Sequence, residues 1–423
     1  MRKFKIIFTI LLSIACFGCN DQPTDINNET DWEKDINYFA TELPKRHPNL
    51  FFKLSKQEFN SDIAKLKELH KNIPEYEIIM RLQEILVKVG DSHTRIQYIN
   101  PADLVDLFNF YCAFKPDFHR LPLQLYWFLD GIYVINATNE YAYLIGKRVT
   151  GIGNLQLDQV IERLQKFVFH ENESYLKLVV PYAMISAEYL KVAEIIDNRE
   201  NVSLVFEGAG SVNFSFHLIT EQFIWKASSN NLPLYLQNIN NYYSYTHLTS
   251  NKTLYIHYNI CFEMPGKTFS DFEKEVVNIL NNNDVEKMII DLRMNLGGSS
   301  IQSSNFINTI KNNPKINKRN NLFVIIGRRT YSSGLQVAQK LKNETNSILL
   351  GEPTSLSTIH YGEVQTFALP FSNLLIRYST KYFNNYYPDN SPSLNPEISV
   401  PLSSTDYFNN IDPIYEYIVK NIY

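Results

Sequence analysis

Val324-Ile-Ile-Gly-Arg-Arg-Thr-Tyr-Ser-Ser-Gly-Leu-Gln-Val-Ala-Gln-Lys-Leu341 reads as a buried strand, a sharp turn carrying two serines, and a helix. Leu335, Val337, Ala338 and Leu341 supply the apolar face of that helix. A serine at such a turn stands at a helix N-terminus, where unspent backbone N–H groups and the helix dipole stabilise a developing oxyanion. Ser332 is therefore the candidate nucleophile, and the N–H of Ser333 a candidate oxyanion donor. The competing reading is a plain cap, since serine is a favoured N-cap residue.

The alternation continues on both sides. Leu254–Tyr258 and Met288–Arg293 read as strands, Phe269–Leu280 and Ile301–Ile310 as helices, and Leu322–Ile326 and Ser347–Gly351 as further strands. Strands and helices alternating at this pitch predict βα repeats with helices covering a core sheet. Val364–Leu369 and Leu374–Thr380 form a closing antiparallel pair, and Ile414–Val419 a last helix begun by Asp412-Pro413. Near the start, Ile36, Phe39, Ala40 and Leu43 recur at helical spacing, as do Phe59, Ile63, Leu66 and Leu69. Ile78, Ile79, Leu82, Ile85, Leu86 and Val89 repeat the pattern, with Pro44, Pro48 and Pro74 as punctuation. Between these regions lie strand-like runs around Asp130-Gly131 and at Val202–Phe206. The expected class is mixed α/β: a helical unit at 31–99, a mixed middle domain at 100–225 and a catalytic core at 226–423.

The first residues look like a targeting signal. Arg2, Lys3 and Lys5 precede an apolar run, Ile6–Ile14, that is too short to span a bilayer. Cys16 and Cys19 follow small residues, Ala15 and Gly18, in an arrangement that resembles a bacterial lipobox, whose thiol takes a diacylglyceryl group. Cys19 is preferred because the acidic, Asn-rich tether begins directly after it. Residues 1–18 are then a signal peptide and 19–30 a tether, and the expected location is the cell envelope of a bacterium, with a lipid anchor to the membrane. The balance of 40 basic against 44 acidic residues gives no footprint for nucleic acid. Cys112 and Cys261 could pair or stay as buried thiols. No C-x-x-C or H-E-x-x-H spacing occurs, and neither phosphate-loop nor dinucleotide glycine fingerprints are present, so no metal or cofactor is expected.

Three further motifs surround the serine. Gly90-Asp-Ser-His-Thr-Arg95 closes the third helical segment, and His93 is the candidate general base, its imidazole suited to proton transfer near neutrality. Asp91 and Ser92 stand beside it and could fix its tautomer. Ile289-Ile-Asp-Leu-Arg-Met-Asn-Leu-Gly-Gly298 runs a strand into a glycine pair, so Gly297 or Gly298 is a second oxyanion donor. The proline-rich loop from Tyr386 to Pro401 carries Asp389, Asn390 and Glu397, any of which could orient the pair.

Gly-Asp-Ser-His-Thr, Ile-Ile-Asp-Leu-Arg-x-Asn-x-Gly-Gly, Thr-Tyr-Ser-Ser-Gly, Leu-Leu-Gly-Glu-Pro-Thr and Asn-Pro-Glu-Ile-Ser-Val occur in this order. Together they resemble the tail-specific serine protease family, which includes the C-terminal processing proteases and the tricorn core proteases. The resemblance covers roughly residues 30–100 and 250–423. It implies a ββαβ core akin to the crotonase and Clp protease folds, with Ser332 as nucleophile and Gly297–Gly298 as oxyanion loop. The processing branch uses a Ser–Lys dyad, but Gly351-Glu-Pro-Thr-Ser-Leu-Ser-Thr-Ile-His-Tyr-Gly362 holds no lysine. The tricorn-like branch uses serine, histidine and a serine–glutamate link, which His93 and Ser92 match. At the glutamate's place this chain has Asp389 or Asn390, and Asp389 would keep the charge. His360 is read as shaping a loop beside the site. The expected function is a serine peptidase acting on peptides or protein tails; the alternative is a weak or inactive surface lipoprotein that binds peptide or a small apolar ligand.

Overall fold

The computed structural model describes residues 30–97, 117–226, 232–299, 301–384 and 390–421. Cys16, Cys19, Cys112 and Asp389 lie outside the described residues. Three helices come first: α1 (Asp31–Arg46), α2 (Lys56–Leu69) and α3 (Glu75–Val89). Thr30 and Ser55 start α1 and α2 by accepting the N–H groups of Glu33 and Glu58 at 3.2 and 3.1 Å. Pro44 does not end α1 but lies within it; the helix stops at His47, which the following Pro48 forces into extended geometry. Ile78, Ile79, Leu82, Ile85, Leu86 and Val89 are all buried, as their spacing predicts. Gly90 then turns the chain out of α3 at φ 73°, its N–H bonded to Val87 O. Short strand β1 (Arg95–Gln97) follows.

The middle of the chain holds β2 (His119–Arg120), the hairpin β3 (Leu123–Phe128) and β4 (Gly131–Ala137), then β5 (Val149–Ile152) and β6 (Leu155–Gln156). Helices α4 (Leu157–Leu164), α5 (Glu173–Ala183) and α6 (Ala187–Val192) come next, followed by β7 (Asn201–Phe206), β8 (Gly210–Ser215) and β9 (His217–Leu218). These strands make a four-stranded sheet, β6-β5-β7-β8, and two small pairs, β3-β4 and β2-β9.

The last part is built from β10 (Tyr243–Leu248), β11 (Thr253–Tyr258), α7 (Phe269–Asn282), β12 (Lys287–Asp291), α8 (Ser304–Lys311), β13 (Leu322–Ile326), α9 (Ser333–Glu344) and β14 (Ile348–Gly351). Then come β15 (His360–Ala368), β16 (Leu375–Phe383), β17 (Ile398–Ser399), α10 (Ser404–Phe408) and α11 (Pro413–Asn421). The main sheet runs β10-β11-β12-β13-β14-β17, parallel from β11 onward, with β10 antiparallel at the edge. Alternate residues face opposite sides. Ile256, Ile290, Val324 and Leu349 pack into the larger core with Phe272, Val276 and Leu335, whereas Tyr255, Ile289, Phe323, Ile325 and Leu350 pack with Ile414 and Ile418 of α11. Burial on both faces explains why these strands read as unbroken apolar runs. Each fully buried Ile or Leu contributes about 1.5–3 kcal/mol. The mixed α/β expectation holds for this architecture.

A separate three-stranded sheet, β1-β16-β15, joins the two ends of the chain: Arg95, Ile96 and Gln97 pair with Arg377, Ile376 and Leu375. Among the described residues, no helix is long and apolar enough to cross a membrane.

Candidate active site

The turn between β13 and α9 is held from several directions. Thr330 donates its hydroxyl to Leu292 O and accepts the Gly327 N–H, while Tyr331 N–H bonds Asn295 O at 2.9 Å. Asn295, fully buried, sends Nδ2 to Tyr258 O and receives the Gly297 N–H on Oδ1 at 2.9 Å. Ser332 occupies the N-cap position of α9 at φ 53° and ψ −125°, a conformation costly for a residue with a side chain. Its hydroxyl makes no capping bond. Ser333 does not cap either; its hydroxyl donates to Gly298 O at 2.7 Å. The plain-cap reading thus fails for both serines.

Gly297 and Gly298 lie directly against this turn, at φ 96° and 135°. A Cβ on Gly297 would fall 2.7 Å from Ser332 Cβ and 2.8 Å from Ser333 N, and one on Gly298 only 2.4 Å from Cys261 O. Only glycine permits so close an approach. The Gly297 N–H is committed to Asn295, so of the two glycines Gly298 is left as the candidate donor. Cys261 is a buried free thiol, its pKa pushed up to about 11 by burial.

The early helical unit brings His93 to the same place. Asp91 organises the loop: Oδ1 accepts the His93 N–H at 3.0 Å, and Oδ2 accepts Thr94 Oγ1 at 2.5 Å and His47 Nε2 at 3.1 Å. Thr94 Oγ1 in turn accepts the Ser379 N–H, fastening the loop to β16. Burial alone would raise the Asp91 pKa; the His47 bond, the neighbouring His93 and the Thr94 hydroxyl overturn that and hold the carboxylate well below its usual range. The His93 ring stacks on Tyr331, the residue before Ser332, with centroids 4.6 Å apart, and lies 6.0 Å from the ring of His360. Both histidines are buried, and burial pushes the His93 pKa well below its ordinary value and that of His360 down to about 4. Neither ring nitrogen of His93 has a hydrogen-bond partner among the described residues, so the imidazole, stacked on the residue before Ser332, makes no bond to the Ser332 hydroxyl.

Sequence reasoning missed Glu171. Asn172 caps α5 by accepting the Tyr175 N–H, and its Nδ2 reaches Thr354 O and Ser393 Oγ. This pins the start of α5 to the late loops and sets Glu171 over the histidine loop. Glu171 Oε1 accepts both the Ser92 N–H at 3.0 Å and the Ser92 hydroxyl at 2.6 Å; Ser92 Oγ also lies 2.8 Å from the Tyr331 hydroxyl. Ser92 is thus linked to a glutamate, though one from the middle of the chain. Asn390 is exposed. Burial first, and the Asp91 charge second, raise the Glu171 pKa from 4.5 to about 7, against the Ser92 bonds. The folded chain therefore holds this proton more tightly than the unfolded one. Its favourable contribution is complete below about pH 4.5 and is lost as pH climbs through 7. Glu171→Gln keeps the Ser92 acceptor without the titration. Relative to the parent, it is expected to gain about 2 kcal/mol between pH 5 and pH 8, read from urea midpoints with chelator present.

No protein-family model matches the sequence, and no curated protein matches it. The structure is similar to that of mature CPAF complexed with lactacystin, with a TM-score of 0.60 at 12% identity over 91% of this chain and 96% of that one. Mature CPAF by itself superposes equally, with a TM-score of 0.60, 12% identity and 91% and 95% coverage. A putative peptidase from Parabacteroides merdae is looser, at TM-score 0.44 and 13% identity over 94% of this chain and 95% of that one. At such identities the likeness is one of fold: the chain shares the mixed α/β architecture of mature CPAF.

Proposed function

We propose that this chain is a serine peptidase working by acyl transfer. Ser332 Oγ attacks the scissile carbonyl, and His93 takes its proton and returns it to the leaving amine. The N–H groups of Gly298 and Ser333 receive the oxyanion. Glu171, through Ser92 and the Tyr331 hydroxyl, positions the histidine loop, and Asp91, whose Oδ1 lies 3.8 Å from His93 Nδ1, is the nearest carboxylate to the imidazole among the described residues. Asp389 keeps the alternative orienting role that the sequence gives it. The observation that carries the reading is the Ser332 backbone: a serine held at φ 53°, with its hydroxyl spent on no cap and Gly297 pressed against its Cβ. The ordered motifs of tail-specific proteases support it. With Cys19 lipidated, such an enzyme would act in the envelope on peptides or unfolded protein tails.

A fluorophosphonate probe tests nucleophile and anchor together. Wild-type chain is expected to label covalently in the membrane fraction, Ser332→Ala not to label, and Cys19→Ser to label in the soluble fraction. One observation favours the rival reading, a ligand-holding lipoprotein: the His93 nitrogens make no hydrogen bond to Ser332. Catalytic hydrogen bonds often close only when substrate binds. A wild-type chain that neither labels nor hydrolyses peptides would decide for the rival.

A further inference from the structure

On the reading above, the imidazole that serves as base shares its buried surroundings with two carboxylates, one from its own loop and one from the middle of the chain. Asp91, His93 and Glu171 each bring a donor atom to within 4.8 Å of the others. Asp91 and His93 are 3% and 1% exposed, and Asp91 Oδ1 stands 3.8 Å from His93 Nδ1. Glu171 spends Oε1 on Ser92, which leaves Oε2 uncommitted. The imidazole is the telling member. Both of its nitrogens are buried and neither has a hydrogen-bond partner among the described residues. A buried polar group left unmet loses its bond to water and gains nothing in return. An imidazole nitrogen with a carboxylate oxygen from each of two side chains within 4.8 Å is a donor set that a divalent cation satisfies.

We propose that Asp91, His93 and Glu171 form a binding site for one Zn²⁺ ion, which holds the peptidase inactive by occupying the nitrogen lone pair that must accept the Ser332 proton. One nitrogen and two oxygens, with water as a fourth ligand, suit tetrahedral zinc. Zinc bonds of about 2.1 Å set donors about 3.4 Å apart, so the three side chains must draw inward, a movement that no hydrogen bond of the His93 ring opposes. His47 steadies Asp91 through Oδ2, as an outer partner does at metal sites. Arg95 and Arg377, cross-strand neighbours on β1 and β16, place positive charge close to His93 and weaken the site, which fits a reversible brake better than a structural ion. Sequence spacing gives no hint of it, because Glu171 is 79 residues from Ser92. The inhibitory part rests on the peptidase reading; the ion site does not.

Calorimetric titration of Ser332→Ala with ZnCl₂ is the test, since this variant binds without turning over. One saturable ion per chain is expected, with Glu171→Gln and His93→Gln added separately to that background each weakening it at least about 10-fold. X-ray absorption on the zinc-loaded Ser332→Ala chain needs no further variant, and should show an oxygen and nitrogen shell with a single imidazole. No saturable site, affinity indifferent to both substitutions, or a shell containing sulfur or several imidazoles would overturn the proposal. A chain that binds zinc here but never hydrolyses peptide keeps the ion site and removes the peptidase reading; one that hydrolyses but binds no zinc does the reverse.

Discussion

A Ser332→Gly chain is expected to resist urea better than its parent while losing peptide hydrolysis by a factor on the order of 10⁴–10⁶. The two changes have separate causes. Removing the hydroxyl removes the proposed nucleophile, and neither Ser333 nor Ser92 is offered in its place: Ser333 is bonded to Gly298 O and Ser92 to Glu171. The stability gain comes from the backbone. Ser332 at φ 53° and ψ −125° carries strain of about 1–3 kcal/mol that glycine does not feel. Glycine returns roughly 0.5–1 kcal/mol of that through its freer unfolded state, so a net gain near 1 kcal/mol remains. Ser332→Ala separates the terms, since it should lose activity equally and gain no stability. Equal urea midpoints for the glycine and alanine chains would show that the turn is relaxed, and the argument for a strained nucleophile would fall.

Gly297→Ala is expected to damage both properties. The new methyl would meet Ser332 Cβ at 2.7 Å, Ser333 N at 2.8 Å and Tyr331 O at 3.0 Å, and the residue would sit at φ 96°. Overpacking of this kind costs about 1–3 kcal/mol, and the left-handed backbone about 1–2 more. Because the displaced atoms belong to the proposed nucleophile and a proposed oxyanion donor, kcat/KM should fall at least about 100-fold. Gly146→Ala is the control. Gly146 also has a positive φ, 84°, but nothing stands within 4 Å of its absent Cβ. It should lose stability from strain alone and keep its activity. If the two variants behaved alike in hydrolysis, the packing of the glycine loop on Ser332 would have no bearing on catalysis.

The elements that obey local rules were legible in the sequence. The apolar spacing of α1, α2 and α3, the uniformly apolar strands of the main sheet and the turn before α9 all announce themselves within a dozen residues. Contacts made across the chain did not. Glu171 lies in Val168-Phe-His-Glu-Asn-Glu173, which has the look of an ordinary polar loop; only Asn172 as a cap signal marked the start of a helix there. Its partner on Ser92 is settled by how α5 docks, which periodicity cannot express. Likewise β1 is three residues long, too short to show a pattern, although its pairing with β16 delivers the histidine loop to the serine turn. Asn295 was visible as part of a motif, but not its place beneath the glycine loop, where it binds the Gly297 N–H and Tyr258 O.

That short pairing has a consequence for timing. Arg95 meets Arg377, and Thr94 is tied to Ser379, so the loop bearing His93 has no seat until β16 has been synthesised. A nascent chain that lacks β16 does not yet hold the proposed base against the serine turn, so on the peptidase reading it would not digest its neighbours. Assembly across such sequence separation is slow compared with local helix formation. On that reading, the site becomes competent only once β16 has closed on β1.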